Sequence, residues 1–108
     1  MCGIVGILDT HMGRVSLQEI AGKMADTLLH RGPDDRGTWV DESAGVGLGH
    51  RRLAILDLTP EGHQPMASPS GRYHFVFNGE VYNFRSLRAE LEADGFLFRG
   101  CSDTEVML

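Results

Sequence analysis

Cys2 is the residue with the clearest chemical potential, because it stands beside the initiator methionine and ahead of an apolar run. If Met1 is removed, Cys2 becomes the amino terminus and carries a thiol and a free α-amine in one residue. Their unperturbed pKa values are ~8.5 and ~7.7 to 8.0, so the nucleophile brings its own proton acceptor near neutral pH. The alternative is that Cys2 is simply a small residue at a loose chain end.

Polar residues far along the chain match the needs of a thiol that attacks a carboxamide. Such a reaction needs two fixed donors for the oxyanion, and the side-chain amide of Asn78 with the backbone N–H of Gly79 fits that need. An amino-acid substrate also needs a guanidinium for its α-carboxylate, which Arg52 could supply, and a carboxylate for its α-ammonium, from Asp103 or Glu80. Each residue also has an ordinary structural interpretation as an ion pair, a hairpin turn or a helix cap.

Composition and charge exclude several classes of function. The net charge is −5 over 108 residues, with a single lysine and scattered arginines, so neither nucleic acid nor an anionic membrane is expected as a partner. The five histidines show no metal-ligand spacing, and we predict no metal site. Cys2 and Cys101 form no disulfide framework, and Gly3 to Leu8 is too short for a signal or membrane segment, so a cytoplasmic location is predicted.

The first half of the chain predicts elements that would hold Cys2 in place. Residues 4–8 form an apolar run typical of a buried strand. A capping box of Ser16 and Glu19 predicts the start of an amphipathic helix that ends at about His30, before a polar loop at 31–37. Short apolar stretches at 38–40 and 46–50 then predict a hairpin.

The second half predicts shorter elements after an irregular, proline-rich crossing from residue 51 to residue 69. A strand is predicted at 73–77, followed by an Asn78-Gly79 turn and a brief strand at 81–82. Then come a helix capped by Asn83 and closed by Gly95, a strand at 96–99, and a second capping box at Ser102 and Glu105. Since only one helical turn follows that box, we expect the chain to be a piece of a longer polypeptide.

Taken together, five stretches in chain order resemble the class II glutamine amidotransferase domain over the whole chain. They lie at residues 1–6, 30–34, 49–57 with 62–66, 77–83 and 102–106. Among family members the asparagine synthetases are most similar, because Arg-Gly-Pro-Asp at 31–34, His-x-Arg-Leu at 50–53 and Asn-Gly-Glu at 78–80 match them. Val81 and Ala54 depart from the usual isoleucine and serine.

The resemblance implies an α+β fold, the four-layer α/β/β/α sandwich of N-terminal nucleophile hydrolases with antiparallel sheets, incomplete in this chain. Residues 1–108 would be the N-terminal portion of the glutaminase domain. The resemblance implies that Cys2 is the nucleophile with its α-amine as base. The remaining roles that it implies are the oxyanion hole at Asn78 and Gly79, the carboxylate site at Arg52, the ammonium site at Glu80 and Asp103, and the backbone pocket wall at Leu53, Ile55 and Leu56.

The resemblance also implies partners that lie outside this chain. L-glutamine would be the substrate, and its ammonia would pass to a C-terminal synthetase domain that amidates aspartate with ATP and Mg²⁺. No cofactor is expected within the 108 residues themselves, and a homodimer stays open. The alternatives are an amidotransferase with another acceptor, a non-catalytic module that binds glutamine or a partner subunit, and a fragment without activity of its own.

Overall fold

The three longest strands form one antiparallel sheet in the computed structural model, which describes residues 1–55 and 57–108. They are β1 (Gly3–Leu8), β2 (Asp35–Asp41) and β3 (Val46–Arg52), in the order β1-β3-β2. The predicted hairpin is confirmed as β2 and β3, whose tight connection places Gly45 at a φ of 67°, a conformation that favours glycine.

Helix α1 (Arg14–Asp26) covers one face of this sheet. It approaches β3 closely because Gly47 and Gly49 have no side chains, and a Cβ on Gly49 would lie 3.0 Å from the carbonyl oxygen of Ala21. Leu17, Ala21 and Ala25 on the sheet side of the helix are completely buried. The apolar core of this half therefore lies between α1 and the strands.

The ends of α1 differ from the predicted ones. Gly13 is the N-cap residue, and it offers no side chain, so Ser16 lies inside the first turn and the predicted capping box is wrong. The helix ends at Asp26, before the predicted His30. There the Thr27 hydroxyl donates to the Met24 carbonyl at 2.7 Å, and the following N–H groups form tighter turns.

The other face of the sheet carries His50 and Arg52, because side chains alternate along a strand. Ile4 and Leu8 of β1 lie on this second face and are 46% and 75% exposed, so the prediction that β1 is a buried strand is wrong for that face. The face that bears His50 and Arg52 is the one that lies toward the irregular crossing.

A second, small antiparallel sheet lies on this face. It pairs β4 (Met66–Ala67) with β5 (His74–Phe75), and the His74 ring stacks on Trp39 of β2 at 4.0 Å between ring centroids. The strand predicted at 73–77 is thus formed only in part. It stops because the main chain of Phe77 bonds to two buried side chains, Gln64 and His50, and not to a neighbouring strand.

No strands form at 81–82 or 96–99 in the described chain, and the predicted Asn78-Gly79 hairpin is wrong. The N–H of Val81 donates to the Asp103 carboxylate at 2.8 Å, and the N–H of Arg99 donates to the Glu105 carboxylate at 2.7 Å. Carboxylates therefore take the donors that a strand ladder would have used.

Two α-helices, α2 (Phe84–Ala93) and α3 (Asp103–Met107), and a short 3₁₀ helix at Pro60–Gly62 complete the described structure. Asn83 precedes α2 as predicted, but its side chain makes no capping bond. Ser102 caps α3 through its hydroxyl, 3.2 Å from the N–H of Glu105, which confirms half of that capping box. No helix within residues 1–55 and 57–108 is long and apolar enough to cross a membrane.

Candidate active site

A cavity of about 410 Å³ lies where the end of β3, the crossing and the start of α3 meet. Eight of the nine predicted site residues line it, although they come from distant parts of the chain. They are Cys2, Arg52, Leu53, Ile55, Asn78, Gly79, Glu80 and Asp103. The ninth, Leu56, lies outside the described residues.

Cys2 reaches the cavity because of the register between β1 and β3. Gly3 pairs with Arg51, so the residue before β1 lies beside the residue after β3. The backbone N–H of Leu53 donates to the Cys2 sulfur at 3.3 Å, and the Arg31 Nε donates to the Cys2 carbonyl at 3.1 Å. Both the thiol and the main chain of Cys2 are therefore fixed by neighbouring elements.

Arg52 is oriented by main-chain carbonyls of the crossing. Its Nη1 donates to the Thr59 carbonyl at 3.0 Å and its Nη2 donates to the Asp57 carbonyl. The guanidinium lies over Gly62, where any Cβ would overlap it. A guanidinium has five N–H donors, so these two bonds orient Arg52 without exhausting its capacity to bind a carboxylate.

Asp103 and Glu80 place negative charge in the same cavity. Asp103 is 6% exposed and begins α3, and its Oδ2 accepts the bond from Val81 described above. This bond joins the segment after Gly79 to the start of α3, so Glu80 and Asp103 are held near each other. A cavity whose lining includes one guanidinium and these two carboxylates suits a zwitterion such as a free amino acid.

Asn78 and Gly79 follow Phe77, whose peptide groups are held on both sides. The N–H of Phe77 donates to the Gln64 Oε1 at 2.7 Å, and its carbonyl accepts a bond from the His50 Nε2 at 3.3 Å. Gln64 and His50 are 5% and 1% exposed. The main chain that leads into the two predicted oxyanion donors is therefore fixed by buried side chains.

Sequence reasoning missed several residues that line the cavity. They are Asp57, Gln64, Phe77, Tyr82, Ser102 and Thr104. Gln64 stands in the stretch at 62–66 that supports the family resemblance, but its position there indicates no role. Its contacts depend on the folding together of three distant segments, which a local pattern cannot reveal.

Asp57 ties the crossing to the segment before α3. Its carboxylate accepts bonds from the N–H and the hydroxyl of Thr59 and from the N–H of Cys101, at 2.8, 2.6 and 2.9 Å. Burial by itself raises the pKa of Asp57, but these hydrogen bonds outweigh burial and leave the pKa below its usual 3.8. Asp57 is therefore an anion that anchors the cavity wall near neutral pH.

Because His50 is buried, we expect the stability of the fold to depend on pH. Burial lowers the pKa of His50 below its usual 6.5, although the Phe77 carbonyl acts in the opposite direction. The folded chain thus binds this proton more weakly than the unfolded chain does. The free energy of unfolding should be at its full value above pH ~6.5 and should decrease as the pH falls through the lowered pKa. Urea denaturation between about pH 5 and 8 would measure this decrease.

A matched pair of variants isolates the contribution of His50. Glutamine at this position can still donate to the Phe77 carbonyl but does not titrate, so His50→Gln should flatten the decrease below pH ~6.5. His11 is exposed, and His11→Gln should leave the profile as in the wild type. An unchanged slope in His50→Gln would assign the pH dependence to other groups.

Comparison with known proteins supports one family. The family model described as "Glutamine amidotransferase domain" matches residues 1–108. The chain is 44% identical to "Asparagine synthetase [glutamine-hydrolyzing] 1" of Bacillus subtilis (strain 168) and 41% identical to "Amidase chry2" of Gibberella zeae. It is 37% identical to "Asparagine synthetase B [glutamine-hydrolyzing]" of Escherichia coli (strain K12).

These alignments cover all of this chain but only the smaller part of each relative. The share of the relative's own length is 17% for the first two proteins and 19% for the third. The match of the family model over the whole chain agrees with the resemblance carried by the five sequence stretches. The chain therefore belongs to the glutamine amidotransferase domain family.

Proposed function

We propose that this chain hydrolyses the side-chain amide of glutamine with Cys2 as the nucleophile, after removal of Met1. One observation carries the proposal. The Cys2 sulfur, the Arg52 guanidinium and the carboxylates of Glu80 and Asp103 line one cavity of about 410 Å³, and these are groups that can attack an amide and bind an amino acid. Family membership supports the same reaction, since the relatives include proteins named as glutamine-hydrolysing.

In this proposal the α-amine of Cys2 accepts the thiol proton as sulfur attacks the glutamine Cδ. The carbonyl oxygen becomes an oxyanion that the amide of Asn78 and the N–H of Gly79 stabilise. The C–N bond then breaks, the ammonium of Cys2 returns a proton, ammonia leaves and a thioester remains. Water attacks the thioester with the amine again as base, which releases glutamate and restores the thiol.

Substrate recognition rests on the charges around the cavity. Arg52 binds the α-carboxylate, and Glu80 and Asp103 bind the α-ammonium. The backbone at Leu53 and Ile55 would form the wall beside the reacting carboxamide, and Leu56, predicted for the same wall, lies outside the described residues. The bond from the N–H of Leu53 to the Cys2 sulfur supports this arrangement.

For the longer protein we propose that the ammonia amidates aspartate, as the names of two of the compared relatives suggest. Since the chain spans 17% of the first relative's length, a C-terminal synthetase domain would supply that chemistry and the ATP and Mg²⁺ sites. Within residues 1–55 and 57–108, no group of three or more His, Cys, Asp or Glu side chains could hold a metal ion. In the longer protein, further strands would complete the four-layer sandwich. We also propose that the enzyme is cytoplasmic.

A second candidate keeps the glutaminase reaction but changes the acceptor of the ammonia. It is favoured by the 41% identity to "Amidase chry2", which nearly equals the 44% identity to an asparagine synthetase. The acceptor would be chosen by polypeptide outside these 108 residues. Incubation of the longer protein with glutamine, aspartate and ATP separates the two candidates. Amidation of aspartate would support the first candidate, whereas release of free ammonia without amidation of aspartate would support the second.

Trapping of the nucleophile tests the shared reaction directly. The intact protein is incubated with a diazo-ketone analogue of glutamine, and its mass is measured before and after peptide mapping. We expect a protein that lacks Met1 and carries one adduct on Cys2, with labelling suppressed by excess glutamine. An adduct on Cys101 and none on Cys2, or a retained Met1, would overturn the glutaminase proposal in favour of a non-catalytic module.

A further inference from the structure

Gln64 has contacts that the reaction proposed above does not explain. It is 5% exposed and lines the cavity, yet it carries no charge and belongs to no helix or strand. Its carboxamide bonds in two directions, accepting from the Phe77 N–H at 2.7 Å and donating toward the Thr104 hydroxyl at 3.5 Å. A buried amide with both ends engaged joins two segments that are 27 residues apart in sequence.

These two segments carry different parts of the proposed machinery. Phe77 immediately precedes the oxyanion donors Asn78 and Gly79, whereas Thr104 follows Asp103 at the start of α3. The bond from the Val81 N–H to Asp103 joins the same segments on the other side of the donors. The stretch from Phe77 to Val81 is therefore attached at both ends, by Gln64 and by Asp103.

We propose that Gln64 is a positioning residue that fixes the Asn78 and Gly79 donors, through the Phe77 main chain, relative to the helix that carries Asp103. The inference rests on the proposed glutaminase function. Gln64 itself touches no reacting atom. Oxyanion donors act through fixed geometry, and a misplacement of about 1 Å can cost on the order of 100-fold in rate.

The type of residue at position 64 fits this role. Its oxygen accepts from an N–H and its nitrogen donates to a hydroxyl, so a carboxamide of this length satisfies both neighbours without a buried charge. Methionine has a similar length but cannot make these bonds, and Gln64→Met would leave the Phe77 N–H without its partner. His50 still holds the Phe77 carbonyl, so the loss should affect the orientation of the donors more than the path of the chain.

The test is steady-state glutamine hydrolysis by the intact protein with Gln64→Met. We expect kcat to fall by about 10- to 100-fold while KM stays within about threefold of the wild-type value. Gln18→Met is the matched control, because Gln18 is exposed and bonds only to Thr38 among the described residues. It should leave both constants unchanged. A kcat of Gln64→Met within twofold of wild type would overturn the inference.

A double-mutant cycle with Asn78→Ala separates positioning from general damage to the fold. If Gln64 acts through the oxyanion donors, Gln64→Met should cost less kcat in the Asn78→Ala background than in the wild type, because only the Gly79 donor is left to be misplaced. Multiplication of the two losses would contradict this pathway. Should Gln64→Met not fold, Gln64→Asn replaces it, since its amide keeps the polarity but is too short by one methylene to reach Phe77.

The binding of two ligands, an aldehyde analogue of glutamine and glutamate itself, adds a readout that stability does not affect. The aldehyde analogue of glutamine adds the Cys2 thiol to its carbonyl and so needs the oxyanion site, whereas glutamate binds without forming that centre. Gln64→Met should weaken the aldehyde by the same factor as kcat and leave glutamate within threefold. Equal weakening of both would overturn the inference. A wild-type protein that does not hydrolyse glutamine would instead overturn the proposed function, and this inference with it.

Discussion

Cys2→Ser is expected to reduce glutamine hydrolysis by the intact protein by about 10⁴-fold or more, since nucleophile and base act as one unit. The thiol of cysteine has an ordinary pKa of ~8.5, close to that of an α-amine, so a proton can pass from sulfur to the amine at neutral pH. A serine hydroxyl is far less acidic and does not transfer its proton to that amine with comparable ease. Release of glutamate and ammonia measures the loss directly.

Cys101→Ser is the matched control for this result. Cys101 is exposed, and its thiol makes no bond within the described chain, whereas the Cys2 sulfur accepts the N–H of Leu53 at the cavity. The control should keep the wild-type kcat and KM. Loss of activity in Cys101→Ser together with retention in Cys2→Ser would place the nucleophile elsewhere and contradict the proposed reaction.

The candidate site could be predicted from sequence to a useful extent because its residues have specific chemical requirements. The chain has only two cysteines and two asparagines, so it offers few candidates for the nucleophile and for the side-chain oxyanion donor. Family resemblance then assigned roles that each residue alone left open. The structure brings Cys2, Arg52, Asn78 and Asp103 to one cavity, although Cys2 and Asp103 lie at opposite ends of the sequence.

Secondary structure around that cavity could not be predicted by local rules. Asn-Gly after an aromatic strand is a strong hairpin signal, yet no hairpin forms, because the Val81 N–H bonds to Asp103 and the Phe77 N–H bonds to Gln64. Both partners are distant in sequence. Local preference and tertiary structure disagree here at the segment proposed to hold the oxyanion donors, which is where such conflicts are expected in functional proteins.

The regular part of the fold shows the opposite behaviour. The β2–β3 hairpin, β1 and α1 were predictable because their bonds lie within a helix or between well-patterned strands. Even there, the predicted start of α1 is wrong, because the N-cap residue is Gly13, which has no side chain that could mark the position in the sequence. The sequence pattern thus defines the scaffold, while the site depends on single side chains that replace backbone partners.

Asn78→Ala is expected to lower kcat for glutamine hydrolysis by about 10²- to 10³-fold, the usual effect of removing one oxyanion donor. KM should change little, because the amide of Asn78 is assigned to the tetrahedral intermediate and not to the charged groups of glutamine. Stability should also change little. The Asn78 side chain is half-buried and has no hydrogen-bond partner among the described residues, so its truncation leaves no protein group unpaired.

Asn83→Ala is the control, because Asn83 is exposed at the start of α2 and makes no side-chain capping bond. Its kcat should match the wild type. A matching loss in both variants would point to disturbance of the 77–83 segment and not to a lost donor. An unchanged kcat in Asn78→Ala would leave Gly79 as the sole assigned donor, and Gln64 would then act through Gly79 alone. In the proposed reaction, the two buried side chains on the Phe77 peptide therefore act only through the donors that follow it.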